Sequence, residues 1–133
     1  MGKENALPVR RVLVVDDDRE LADAAVKLLK SMGQIVWQAN DGATAVSMTL
    51  EFSPDVVFLD LVMPGMDGLE VARQLRDSNL VKTPKIVALT SFRQPAFRDA
   101  ASWAGFDAYI TKPASVEALS KVLADLRSQS QSG

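Results

Sequence analysis

The chain contains no histidine and no cysteine. Without histidine there is no Ser-His-Asp triad, no His-ligated zinc and no phosphohistidine carried on this chain. Without cysteine, disulfides and thiol nucleophiles are excluded, which is compatible with the cytoplasmic location expected here. No apolar run is long enough to span a membrane, and Met1-Gly2-Lys3-Glu4-Asn5 offers no apolar signal core. The 15 basic and 17 acidic residues are mixed, with no Lys/Arg-rich run, so direct nucleic-acid binding is not expected. Any acid–base or metal chemistry must rest on carboxylates, lysine, hydroxyls, tyrosine and the backbone.

What is present suffices for one domain with a substantial core, in 133 residues of which 47% are hydrophobic. There is no internal repeat. Polar ends suggest a flexible N-terminus over 1–9, a domain over 10–127 and a flexible tail over 128–133. Between them, short apolar runs alternate with helix-period segments. Val12 to Val15 is an unbroken apolar run, as in a strand buried on both faces. Leu21, Ala25, Leu28, Leu29 and Met32 then form a helical stripe that Gly33 is placed to stop. Ile35-Val36-Trp37 predicts a second strand, Ala43 to Phe52 a helix and Val56 to Leu59 a third strand. The turn-rich Met63-Pro64-Gly65-Met66-Asp67-Gly68 leads to a helix over Leu69–Asp77, with Asp67 as its cap. Lys85 to Leu89 is the fourth strand. Phe97, Ala100, Ala101 and Ala104 form the next helical stripe. Ala108 to Thr111 is the fifth strand, and Ser115 caps a last helix.

This order predicts an α/β, flavodoxin-like (βα)5 three-layer sandwich with a parallel sheet of order 2-1-3-4-5. In such a sheet, ligands bind at the carboxyl ends of the strands, at the switch point between the first and third. Four of the five runs end there in a polar group: Asp16-Asp17-Asp18, Asp60, Thr90 and Lys112. Clustered Asp16, Asp17 and Asp60 would repel one another without a cation, and Mg²⁺ suits an all-oxygen site. The plainer reading of Asp16 to Asp18 is a solvated turn and helix cap, and it weighs most for Asp18. Lys112 would offset the acids, and a cis Lys112-Pro113 bond would aim it inward. Thr90 could donate to a phosphoryl oxygen, although a β-branched strand end is its ordinary explanation.

Val14-Val15-Asp16-Asp17-Asp18, Phe58-Leu59-Asp60 through Gly68, Ala88-Leu89-Thr90-Ser91 and Tyr109-Ile110-Thr111-Lys112-Pro113 resemble the receiver domain of two-component response regulators. The resemblance covers roughly residues 10–127. It implies that Asp60 accepts a phosphoryl group from a phosphohistidine, supplied by a sensor histidine kinase or a histidine phosphotransfer protein. It implies that Asp16 and Asp17 position Mg²⁺, with Asp17 the direct ligand and the Val62 backbone carbonyl the third protein ligand. Lys112 matches the family's lysine, Thr90 its switch hydroxyl and Tyr109 its switch aromatic. Phosphoryl transfer needs an in-line nucleophile and positive charge on the equatorial oxygens, which this set would supply. The domain is then a signalling module that assists its own phosphorylation and dephosphorylation rather than an enzyme.

Val62 and Phe92 occupy positions where the family often has polar residues. Neither can orient an attacking water, so a long-lived aspartyl phosphate is expected. Output is expected through the helix after Thr90, the fifth strand and the last helix, with Arg93, Arg98, Asp99 and Trp103 in or near the first of these. The chain is expected to act on a downstream protein target or a linked domain, as a monomer or weak dimer. Ala108, where dimerising transcription-factor receivers usually carry an acid, weighs against their dimer mode. Residues Gly105 to Pro113 look more like receivers attached to hybrid histidine kinases.

Two other classes compete. Haloacid dehalogenase-type phosphatases also begin with a strand ending in Asp-x-Asp, which would make Asp16 the nucleophile. Glu20 stands where they usually carry Thr or Val, however, and no late acidic pair follows. A flavin carrier of the same fold would place a phosphate loop where three aspartates stand here.

Overall fold

The computed structural model describes residues 8–61, 68–77, 83–90 and 106–132. Five strands, β1 (Arg11–Val15), β2 (Ile35–Ala39), β3 (Val56–Asp60), β4 (Lys85–Thr90) and β5 (Ala108–Thr111), form one sheet of order β2-β1-β3-β4-β5. Every neighbouring pair is parallel. The described helices are α1 (Arg19–Ser31), α2 (Gly42–Phe52), α3 (Gly68–Asp77) and α4 (Val116–Ser132). The helix expected on the stripe from Phe97 to Ala104 lies outside the described residues.

Period-two alternation along the strands divides the core between the two faces. Val12, Val14, Val56, Phe58, Val87 and Leu89 pack with Ala22, Ala25 and Leu29 of α1 and with Leu119, Leu123 and Leu126 of α4. On the other face Leu13, Val15, Val57, Leu59 and Ile86 meet Ala45 of α2 and Val71, Ala72 and Leu75 of α3. β3 is buried at all five positions, which is why its sequence shows no polar alternation. Each fully buried Leu, Ile, Val or Phe contributes roughly 1.5–3 kcal/mol.

Side-chain caps fix where the helices begin. Asp18 Oδ1 accepts from the Leu21 amide at 3.2 Å to start α1. Asp41 Oδ1 accepts from the Thr44 amide at 2.7 Å to start α2. Ser115 Oγ accepts from the Ala118 amide at 3.1 Å to start α4. Gly33, at φ +86°, follows α1 as its expected stop. The expected Asp67 cap lies outside the described residues. Two elements exceed their expected bounds by more than one residue. β2 continues past Trp37 because Gln38 and Ala39 still pair with Val14 and Val15. α4 continues past residue 127 to Ser132.

At the N-terminal end of the sheet, Arg11 ties β1 to α2. Its guanidinium lies 4.9 Å from the Trp37 ring centroid, and Trp37 stacks on Phe52 with centroids 4.9 Å apart. Arg11 Nε donates to the Phe52 carbonyl at 3.0 Å, satisfying an oxygen of the helix's last turn. The opposite edge of the sheet is thereby left for the polar strand ends.

Candidate functional site

Asp16 is the first residue beyond β1, and its amide donates to the Ala39 carbonyl of β2 at 3.1 Å. Its side chain is buried, and both carboxylate oxygens are engaged. Oδ1 accepts from the Asp18 amide at 3.0 Å, and Oδ2 lies 2.8 Å from Lys112 Nζ. The Asp16 backbone carbonyl accepts from Asn40 Nδ2 at 2.9 Å. Asp60, the last residue of β3 and only 6% exposed, places Oδ2 3.3 Å from the same ammonium. Asp17 differs from both. It is exposed, and no hydrogen bond or ion pair reaches its side chain among the described residues.

The three consecutive acids therefore divide their tasks. Asp18 caps a helix, as the plainer reading held. Asp16 spends its oxygens on Lys112 and on the loop, and Asp17 keeps its carboxylate for solvent or a ligand. Oxygens of Asp16, Asp17 and Asp60 lie within 4.8 Å of one another. Three carboxylates face one ammonium there, and like charges so close are costly unless a cation joins them. All three donors are hard oxygens, so the chemistry of the set fits Mg²⁺.

Lys112 follows β5, and the bond from it to Pro113 is cis, as expected. Burial pulls the Lys112 pKa down, but the hydrogen bond to Asp16 and the charges of Asp60 and Asp16 outweigh it and leave it raised. The ammonium is thus held charged at neutral pH. Thr90 ends β4 opposite Thr111 of β5, which puts its backbone on the same edge. Tyr109, also on β5, is 40% exposed. Val62, Phe92, Arg93, Arg98, Asp99 and Trp103 lie outside the described residues.

Two residues that the sequence reading passed over also belong to the site. Asn40 is one, through its bond to Asp16. Gly68 is the other: its amide donates to the Leu61 carbonyl at 2.8 Å, and a Cβ on it would lie 2.3 Å from the Asp60 carbonyl oxygen. α3 thus starts with its backbone pressed on the Asp60–Leu61 peptide, a contact that only glycine permits.

The family model for the response regulator receiver domain matches residues 12–124. Solved structures agree. The signal receiver domain of a response regulator from Bermanella marisrubri is 38% identical, with TM-score 0.79, covering 87% of this chain and 96% of that one. The chemotaxis protein CheY4 of Vibrio cholerae is 28% identical, with TM-score 0.83, covering 89% and 98%. The signal receiver domain of a signal transduction histidine kinase from Syntrophus aciditrophicus is 26% identical, with TM-score 0.80, covering 91% and 92%. The chain belongs to the response regulator receiver domain family. It is a phosphoacceptor signalling domain of two-component systems. The haloacid dehalogenase-type alternative, with Asp16 as nucleophile, is not supported. Among the described residues, no helix is long and apolar enough to cross a membrane.

Proposed function

We propose that Asp60 is the phosphoacceptor and that Asp16 and Asp17 help it hold Mg²⁺, with the Val62 carbonyl as a further ligand. The observation that carries this reading is Lys112 seated between Asp16 and Asp60 at 2.8 and 3.3 Å, beside an Asp17 carboxylate left open. A bound Mg²⁺ would supply positive charge for the phosphoryl oxygens. Asp60 Oδ is the nucleophile, held at the end of the central strand. Lys112 neutralises acceptor charge before transfer and can donate to a phosphoryl oxygen afterwards. Thr90 is the second such donor, and Tyr109, half exposed on β5, responds to its movement. This couples the site to the surface made by β5 and α4, where a downstream protein or linked domain would read it. The donor is a phosphohistidine of a sensor kinase or of a histidine phosphotransfer protein, and the setting is cytoplasmic.

Incubation with Mg²⁺ and acetyl phosphate, followed by intact mass, tests the assignment. One added phosphoryl group on the wild type and none on Asp60→Asn is expected. A phosphoryl group that persists on Asp60→Asn would refute it.

A further inference from the structure

We infer that Asn40 is a positioning residue for the metal site, acting through the Asp16–Asp17 peptide; this rests on the Mg²⁺ reading above. Asp17 is the site carboxylate with no side-chain partner among the described residues, so its placement must come from its backbone. Two bonds fix that backbone. Asn40 Nδ2 donates to the Asp16 carbonyl at 2.9 Å, and the Asp18 amide donates to Asp16 Oδ1 at 3.0 Å. Peptide groups are planar, so holding the Asp16 carbonyl also fixes the Asp17 nitrogen and Cα. The second bond fixes the peptide on the other side of Asp17. The carboxylate then projects from a residue clamped at both ends.

The amide orientation of Asn40 is set by its partner, because a carbonyl oxygen can only accept. Asn40 is well placed for this task. It directly follows Ala39, the last residue of β2, whose carbonyl already takes the Asp16 amide. The next residue, Asp41, is committed to capping α2. The end of β2 therefore grips both the amide and the carbonyl of Asp16. Partners that orient a ligand without touching the metal tune its affinity.

The test is a calorimetric Mg²⁺ titration of the full chain, with acetyl phosphate labelling at rising Mg²⁺ alongside. Asn40→Ala is expected to weaken Mg²⁺ about tenfold, the low end for such partners, with labelling near wild type once Mg²⁺ saturates. Asp41→Ala is the neighbouring control. It loosens α2 but leaves the Asp16 carbonyl bonded, and should bind Mg²⁺ as the wild type does. If Asn40→Ala fails to fold, Asn40→Ser, whose shorter side chain cannot reach the carbonyl, makes the same comparison. A folded Asn40 variant with unchanged Mg²⁺ affinity would overturn the inference and leave the Mg²⁺ reading standing. Equal weakening in Asp41→Ala would also overturn it, by showing general loosening. A wild type that takes up no Mg²⁺ would sink both.

Discussion

The Lys112 ammonium lies 2.8 Å from Asp16 Oδ2, on a side chain only 12% exposed. A charge pair so enclosed, with Asp60 as a third member, depends on every member being present. Lys112→Met should therefore destabilise the Mg²⁺-free protein by about 2 kcal/mol, the loss expected when buried charged groups lose a hydrogen-bond partner. Urea denaturation at neutral pH measures it. Added Mg²⁺ should recover part of that loss, because it also relieves the crowded carboxylates. A variant as stable as the wild type without metal would show that the lysine is dispensable to the resting site.

Gly68→Ala sets two effects against each other. Alanine favours a helix by about 1 kcal/mol over glycine. Its Cβ, however, would lie 2.3 Å from the Asp60 carbonyl oxygen and 2.5 Å from the Leu61 Cα. Those are backbone atoms and cannot swing aside, so a loss of about 1–3 kcal/mol from overpacking should win. Thermal unfolding reads the stability, and a slower acetyl phosphate reaction should show that Asp60 has moved.

Asp41 supplies the pH dependence. Its pKa is lowered, first by the Thr44 amide and then by the Thr44 hydroxyl. A depressed carboxylate stabilises the fold above its unfolded pKa and loses that contribution as pH falls through the folded value. Its share is therefore complete above about pH 4 and fades below it. Asp41→Ala should cost about 1 kcal/mol at pH 7, as cap removals do. Asp41→Asn, which caps without titrating, should lose less stability than the wild type on acidification. Parallel urea curves at pH 7 and pH 3 decide this.

The lifetime of the phosphoryl group should depend on Val62 and Phe92. Neither side chain can orient a water. Together, Val62→Asn and Phe92→Glu should shorten the lifetime severalfold, measured as phosphate release after the donor is removed. An unchanged decay would show that the timer lies elsewhere.

Much of this was legible in the sequence because the strands are short apolar runs with chemistry at their ends. Asp16, Asp17, Asp60 and Lys112 meet because one sheet order brings three distant strand ends to one edge. What the sequence hid depended on backbone geometry. A lone Asn before an Asp-Gly step reads as a turn, and Asn40 gains its role only when β2 pairs with β1 in a register that places Ala39 beside Val15. The topology itself was the available clue, since order 2-1-3-4-5 puts the end of β2 next to the acid loop. Gly68 likewise reads as a turn residue, and only the packed start of α3 shows that it touches the Asp60 peptide. The extension of β2 was masked by Gln38, a polar residue on an edge strand, where burial is incomplete.

Asp60 closes β3, the central strand of five, flanked by β1 and β4 and buried along its whole length. Strands of that kind release their amide protons last, often only on global unfolding. The atom expected to be modified is thus bolted to the slowest part of the molecule, while Tyr109 sits on an edge strand and is exposed. A hydrogen-exchange profile would then separate an immobile receiver of the mark from a margin free to report it.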